Sequence, residues 1–254
     1  MRALIGVTLV FALATTFGAS AADWYTGVPT DGPVAPPAPS VAIDVAVDGT
    51  SQRALSGAMI GTIAAFSTLD KSGLRFRVSG LGGRYDYNSS ATATAAAVGR
   101  VNGTLVNGAV MMGYEWVMKN MTIAAFGGAE IVNNSISPND PNNTVKGTRG
   151  GFRVGVDFYL LPTDRTMVSG VAYYSTNNSA YYGRLKFGMA FAERVYVGPE
   201  VVALGDNFFQ QFRVGGHLSG LQFGAIQMGV SAGFLADRVR GAGVYGILES
   251  RVTF

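Results

Sequence analysis

The sequence predicts an all-β chain: a single antiparallel transmembrane β-barrel of about twelve strands, with ten as the nearest alternative. Three observations predict it. Apolar residues recur with period two from Val41 to the end of the chain, not with the ~3.6 period of a helix. Charged residues make up only 14% and Gly supplies 35 of 254 positions, whereas an ordinary soluble domain is ~25% charged. The chain ends on a strand whose last residue is aromatic, Phe254, with Val244, Leu248 and Val252 on the same face. A terminal aromatic of this kind resembles the signal read by outer-membrane assembly machinery.

The first element is a secretory signal peptide, Met1–Ala21. Arg2 gives the positive start, Leu4–Phe17 the apolar stretch, and Ala19-Ser20-Ala21 the small-residue cleavage site. After export, the lack of any other long apolar run leaves a soluble fold or a β-barrel. The chain has no Cys, which excludes a disulfide framework, a thiolate metal site and a lipid-modified N-terminal Cys. Residues 22–40 form a linker rich in Pro: Pro29, Pro33, Pro36, Pro37 and Pro39. The barrel then runs over residues 41–254.

The period-two pattern places strands at 41–48, 56–66, 73–85, 100–117, 120–133, 147–160, 165–176, 179–191, 194–204, 208–220, 223–236 and 240–254. Leu74, Phe76 and Val78 alternate with Arg75, Arg77 and Ser79. Phe152, Val154, Val156 and Phe158 alternate with Arg153, Gly155 and Asp157. Successive strand residues point to opposite faces, so each strand has one greasy face and one polar or small face. In a barrel the greasy face meets lipid. The 56–66 strand alternates poorly. An even strand count puts both chain ends in the periplasm of a Gram-negative cell. The short connections at 67–72, 118–119, 161–164, 192–193 and 221–222 then fall on the periplasmic side. The long ones, 86–99 and 134–146, fall outside the cell. Trp116, beside a short turn, fits an interfacial aromatic girdle.

Ionisable groups collect on the inward faces: Arg75, Arg77, Glu115, Glu130, Arg149, Arg153, Asp157, Arg184, Lys186, Glu200, Arg213, Glu249 and Arg251. One reading is a lumen that handles an anionic or sugar-like solute. The other is a set of mutually paired charges filling a small barrel, since a buried charge is costly unless paired. His217-Leu218-Ser219 puts a His and a Ser on one strand face, the pattern of a barrel acyl-hydrolase acting on lipid A or phospholipid. Phe212, Val214 and Leu218 take the lipid-facing positions, so His217 and Ser219 are expected inside, near the periplasmic end. A small-solute porin or structural barrel is a further alternative. The stretch Ser137–Gly147 is turn chemistry, and its Asn139, Asp140, Asn142 and Asn143, with Tyr85 and Tyr87 at the neighbouring mouth, are candidate glycan contacts. Metal-ligand spacing, phosphate loops and nucleotide fingerprints are not found, so no cofactor is expected. The net charge of +3 is spread thinly, so the expected partners are outer-membrane lipid and glycan rather than nucleic acid.

Several segments, in this order, resemble the BcsS family of bacterial cellulose biosynthesis proteins. They are Gly82-Gly83-Arg84-Tyr85-Asp86-Tyr87, Gly113-Tyr114-Glu115-Trp116, Ala125-Phe126-Gly127-Gly128 with Glu130, and Asp140-Pro141-Asn142-Asn143-Thr144-Val145-Lys146-Gly147. Val197-Gly198-Pro199-Glu200, Ala203-Leu204-Gly205 and Tyr245-Gly246 follow. The resemblance implies a non-enzymatic envelope protein associated with cellulose and its synthesis and export machinery. It does not imply a mechanism.

Overall fold

A computed structural model describes residues 38–92 and 95–254. The signal peptide and most of the Pro-rich linker lie outside the described residues. Twelve strands follow one another: β1 (Val41–Thr50), β2 (Leu55–Ala64), β3 (Gly73–Asn88), β4 (Arg100–Met118), β5 (Met121–Ser137), β6 (Gly147–Thr163), β7 (Thr166–Ser175), β8 (Tyr181–Ala192), β9 (Val195–Gly205), β10 (Gln210–Phe223), β11 (Ile226–Asp237) and β12 (Gly241–Thr253). Each pairs antiparallel with its sequence neighbour, and β1 also pairs with β12, closing the barrel. Closure leaves no strand edge unpaired, which a sheet surrounded by hydrocarbon requires.

The alternation read from the sequence sets which side chains face out. Phe76, Val78, Val110, Met112, Val154, Val156, Leu185, Phe187, Phe212, Val214, Val244 and Leu248 are all exposed on the outer wall. At the end of the barrel where the chain starts and stops, a ring of exposed aromatics marks the edge of this band: Phe66, Trp116, Phe191, Phe223 and Phe254. Such girdles sit at membrane–water boundaries. We call this the terminal end, and the opposite end the loop end.

The observed boundaries differ from the sequence reading where the chain leaves the hydrocarbon. β5 continues to Ser137, pairing Asn102 with Ser137 and Thr104 with Ser135, so the connection is 138–146 and not 134–146. The outward residues there are Asn133, Ser135 and Ser137. They lack the apolar signature of a lipid-facing strand because this part of the wall stands in water. The same holds for Arg84 and Asn88 on β3 and for Asn102 and Thr104 on β4, all exposed. The tall wall of β3–β6 therefore rises beyond the rest of the barrel: β6 extends past Arg153, the last residue paired to the loop-end tip of β7. At the terminal end, β10 runs on to Phe223 because of a bulge between Ser219 and Leu221. Gly220 makes the bulge, with φ +86° and an ideal Cβ that would lie 1.9 Å from the Arg194 carbonyl oxygen. Only Gly fits that combination. Gly103 serves differently: it leaves room for the Tyr85 ring, which would lie 2.2 Å from an added Cβ.

Candidate functional site

The lumen is filled with ion pairs. Arg75 bonds Glu115, and Arg153 bonds Glu130. Arg77 meets Asp157 at 2.6 Å, Arg184 meets Glu200 at 2.7 Å and Glu249 at 2.6 Å, and Lys186 meets Glu249 at 2.5 Å. Arg213 meets Asp48 at 2.8 Å and Arg251 meets Asp44 at 3.3 Å. Three acids were missed on the sequence: Asp44 and Asp48 on β1, and Asp237 on β11, which takes Arg240 at 2.7 Å. The apparent excess of bases disappears once they are included. The signal for Asp44 and Asp48 was present, since both alternate with the exposed Val45 and Val47. Arg149, by contrast, is exposed at the loop-end rim and donates to the Thr144 carbonyl, outside the lumen.

Several of these contacts cross the barrel. Arg184 on β8 reaches Glu249 on β12, four strands away around the wall. Glu200 is the hub. It accepts from Arg184 Nε at 2.9 Å, Arg184 Nη2 at 2.7 Å, Ser231 Oγ at 3.0 Å and Tyr245 Oη at 2.7 Å. A second hub is Glu130, which accepts from Asn107, Arg153, Ser175 and Asn177. A buried carboxylate with four donors is satisfied; with fewer it is a liability. Arg77 also stacks on Phe126 with its guanidinium carbon 3.6 Å from the ring centre.

Both ends of the lumen are covered. At the terminal end the 65–72 connection folds inward and buries Leu69 against Ala42 and Ala64. Fully buried Arg75 holds it, spending all five N–H groups on Glu115, Ser67 Oγ and the carbonyls of Leu74, Thr68 and Lys71. At the loop end, Tyr85 and Tyr87 do not stand open to solvent as expected of glycan contacts. Tyr87 is buried and donates to Asp140 Oδ2 at 2.9 Å, while Asn143 Nδ2 donates back to the Tyr87 hydroxyl at 3.0 Å. Tyr85 donates to Asn134 Oδ1 at 2.8 Å. Asp140 and Asn143 are each 1% exposed. Asn139 and Asn142 remain nearer the surface, the first accepting from Lys146 Nζ and the second from Thr92 Oγ1. The six residues are therefore brought together, four of them in the interior of the mouth.

His217 and Ser219 face inward near the terminal end, as the alternation implied. His217 Nε2 lies 3.1 Å from the Phe187 carbonyl oxygen, which can only accept, so Nε2 carries the proton. Nδ1 then accepts from Ser219 Oγ at 2.9 Å. This is the polarity of a base and nucleophile, but His217 is 3% exposed inside the wall.

The family model described as cellulose biosynthesis protein BcsS matches residues 42–254. The chain belongs to this family. It is a cellulose-biosynthesis-associated barrel of the outer-membrane type. No curated protein matches it. Among solved structures, the COG4313 outer membrane channel from Pseudomonas putida F1 is 12% identical with a TM-score of 0.50, covering 89% of this chain and 99% of that one. The KdgM porin is 13% identical with a TM-score of 0.42, covering 84% and 99%. LpxR from Salmonella typhimurium is 11% identical with a TM-score of 0.45, covering 85% and 100%. The first supports the barrel fold; at these identities none speaks to function.

Proposed function

We propose that this chain is a non-enzymatic barrel of the outer membrane of a Gram-negative bacterium, acting with the cellulose synthesis and export machinery, its loop end at the cell surface. The observation that carries the location is the closed barrel whose outer wall is an apolar band edged by Phe66, Trp116, Phe191, Phe223 and Phe254. Family membership carries the link to cellulose. At the surface, Asn139 and Asn142 offer amide donors and acceptors that match sugar hydroxyls. Tyr85, Tyr87, Asp140 and Asn143 are engaged with their neighbours while the mouth is shut. The test is deletion of the gene with cellulose output and retention measured by dye binding. A change restored by the intact gene supports the reading, and unchanged cellulose removes it. Replacing Ser137–Lys146 by a short Gly/Ser turn then asks whether the loop contributes.

One observation favours a second reading, an acyl-hydrolase: the His217–Ser219 contact at 2.9 Å. With the loop end at the cell surface, as proposed, its inward direction and its depth near the terminal end argue against outer-leaflet acyl chains as substrate. Ser219→Ala is expected to leave the acyl composition of lipid A and phospholipid unchanged. An altered acyl pattern in that mutant would revive the hydrolase.

A further inference from the structure

We infer that residues 138–146 are a lid, latched by Tyr87, that shuts the loop end of the lumen and lifts to open it. This inference needs only the barrel and stands apart from the cellulose link.

The contact that closes the mouth spans its width. Tyr87 belongs to β3, and its ring meets Phe208 with centres 5.0 Å apart. Phe208 lies in the connection between β9 and β10, on the opposite side of the twelve-strand ring from β3. Tyr85 stacks beneath on Tyr87, with centres 6.3 Å apart and planes 18° from parallel. A side chain of β3 and the connection on the far side do not touch across an open mouth; here they do.

The lid is seated on this bridge through polar groups it buries. Asp140 takes the Tyr87 hydroxyl on one oxygen and the Asn142 backbone N–H on the other. Asn143 donates to the same hydroxyl and accepts from the Val145 N–H. Asn134, inward on β5, donates to the Val145 carbonyl at 2.7 Å. Val145 of the lid is buried, and so is Val101, which has no exposed surface and pairs in the sheet with Tyr87. A hairpin connection needs only two to five residues, and a loop that merely joined β5 to β6 would leave its carboxylate and amides in water. This one carries them inward onto a tyrosine.

The arrangement also lets the lid move without unfolding the wall. Its partners are side chains, not strand hydrogen bonds: the β5–β6 ladder ends at Asn134 and Gly147, outside the 138–146 segment. Gly147, with φ +84°, is a natural hinge. Lifting the lid would expose the Tyr85 and Tyr87 faces to whatever enters.

The chain has no Cys, so a single engineered thiol reports the closure. The full-length exported protein is reconstituted in planar phospholipid bilayers, and Val101→Cys is probed in vesicles with a water-soluble maleimide. The intact lid should give low conductance and slow labelling at Val101→Cys. Replacing 138–146 by a short Gly/Ser turn should speed that labelling, while conductance stays low because the 65–72 connection still covers the terminal end and ion pairs still fill the lumen. Tyr87→Phe keeps the ring but removes the hydroxyl at the centre of two bonds, and should speed labelling roughly tenfold. It also serves if the lid-less barrel fails to fold. Because Val101 is at the loop end of β4, labelling responds to the lid even where deeper ion pairs block current. Labelling of Val101→Cys at the same rate with and without Tyr87→Phe, or fast labelling with the lid intact, overturns the inference.

Discussion

Glu200→Ala should destabilise the barrel far more than Asp86→Ala, although each carboxylate sits 2.7 Å from its arginine. The difference is burial. The side chains of Arg184 and Glu200 are 7% and 0% exposed, whereas the Arg100 side chain opposite Asp86 is 50% exposed. Removing one partner of a buried pair costs about 3–5 kcal/mol, because the survivor stays desolvated and unpaired. Arg184 keeps Glu249, which moves the expectation to the lower end, about 3 kcal/mol. The hydroxyls of Ser231 and Tyr245 lose their acceptor as well. Breaking an exposed pair costs about 0.2–1 kcal/mol. Urea unfolding of both variants in phospholipid vesicles, with the slope checked for constancy, reads the two values. A loss below about 1 kcal/mol for Glu200→Ala, or equal losses for the two variants, would refute the claim that removing this lumen carboxylate leaves its partners desolvated and unpaired.

Arg75→Met should free the 65–72 connection, since every bond that tethers it to the guanidinium is lost together; trypsin should then cut after Lys71 several-fold faster in the folded barrel, and equal protection would show that the turn is held otherwise. Deleting Phe254 should lower the heat-modifiable folded fraction in outer membranes, because its exposed ring closes the aromatic girdle; an unchanged fraction would count against an assembly role.

How much of this was legible follows from what each part depends on. The twelve strands could be read because lipid outside and packed lumen inside impose opposite demands on successive residues, as in Leu74-Arg75-Phe76-Arg77. The loop-end limits of β3 and β5 could not be read, because above the hydrocarbon both faces tolerate polar residues: Asn133, Ser135 and Ser137 look like loop but lie on a strand. The shift in β10 came from Gly220, one Gly among many, whose bulge depends on the Arg194 carbonyl across the sheet. In the lumen, the charged residues can be read from their alternation with exposed apolar residues, but their partners depend on strands far apart in sequence. Arg213 and Asp48 are 165 positions apart. The mouth shows the same limit. Tyr87, Asp140 and Asn143 come from two separate segments, 82–87 and 137–147, yet only the folded barrel turns them toward one another instead of toward solvent.

Everything proposed about glucan depends on the loop end facing outward from the cell. Single thiols test that directly in this Cys-free chain. Asn139→Cys places one on the exposed lid and Asp70→Cys one on the exposed terminal-end turn. In intact cells treated with a membrane-impermeant maleimide, Asn139→Cys should label at once and Asp70→Cys only after the outer membrane is permeabilised. Labelling of Asp70→Cys in intact cells while Asn139→Cys stays protected would contradict the account.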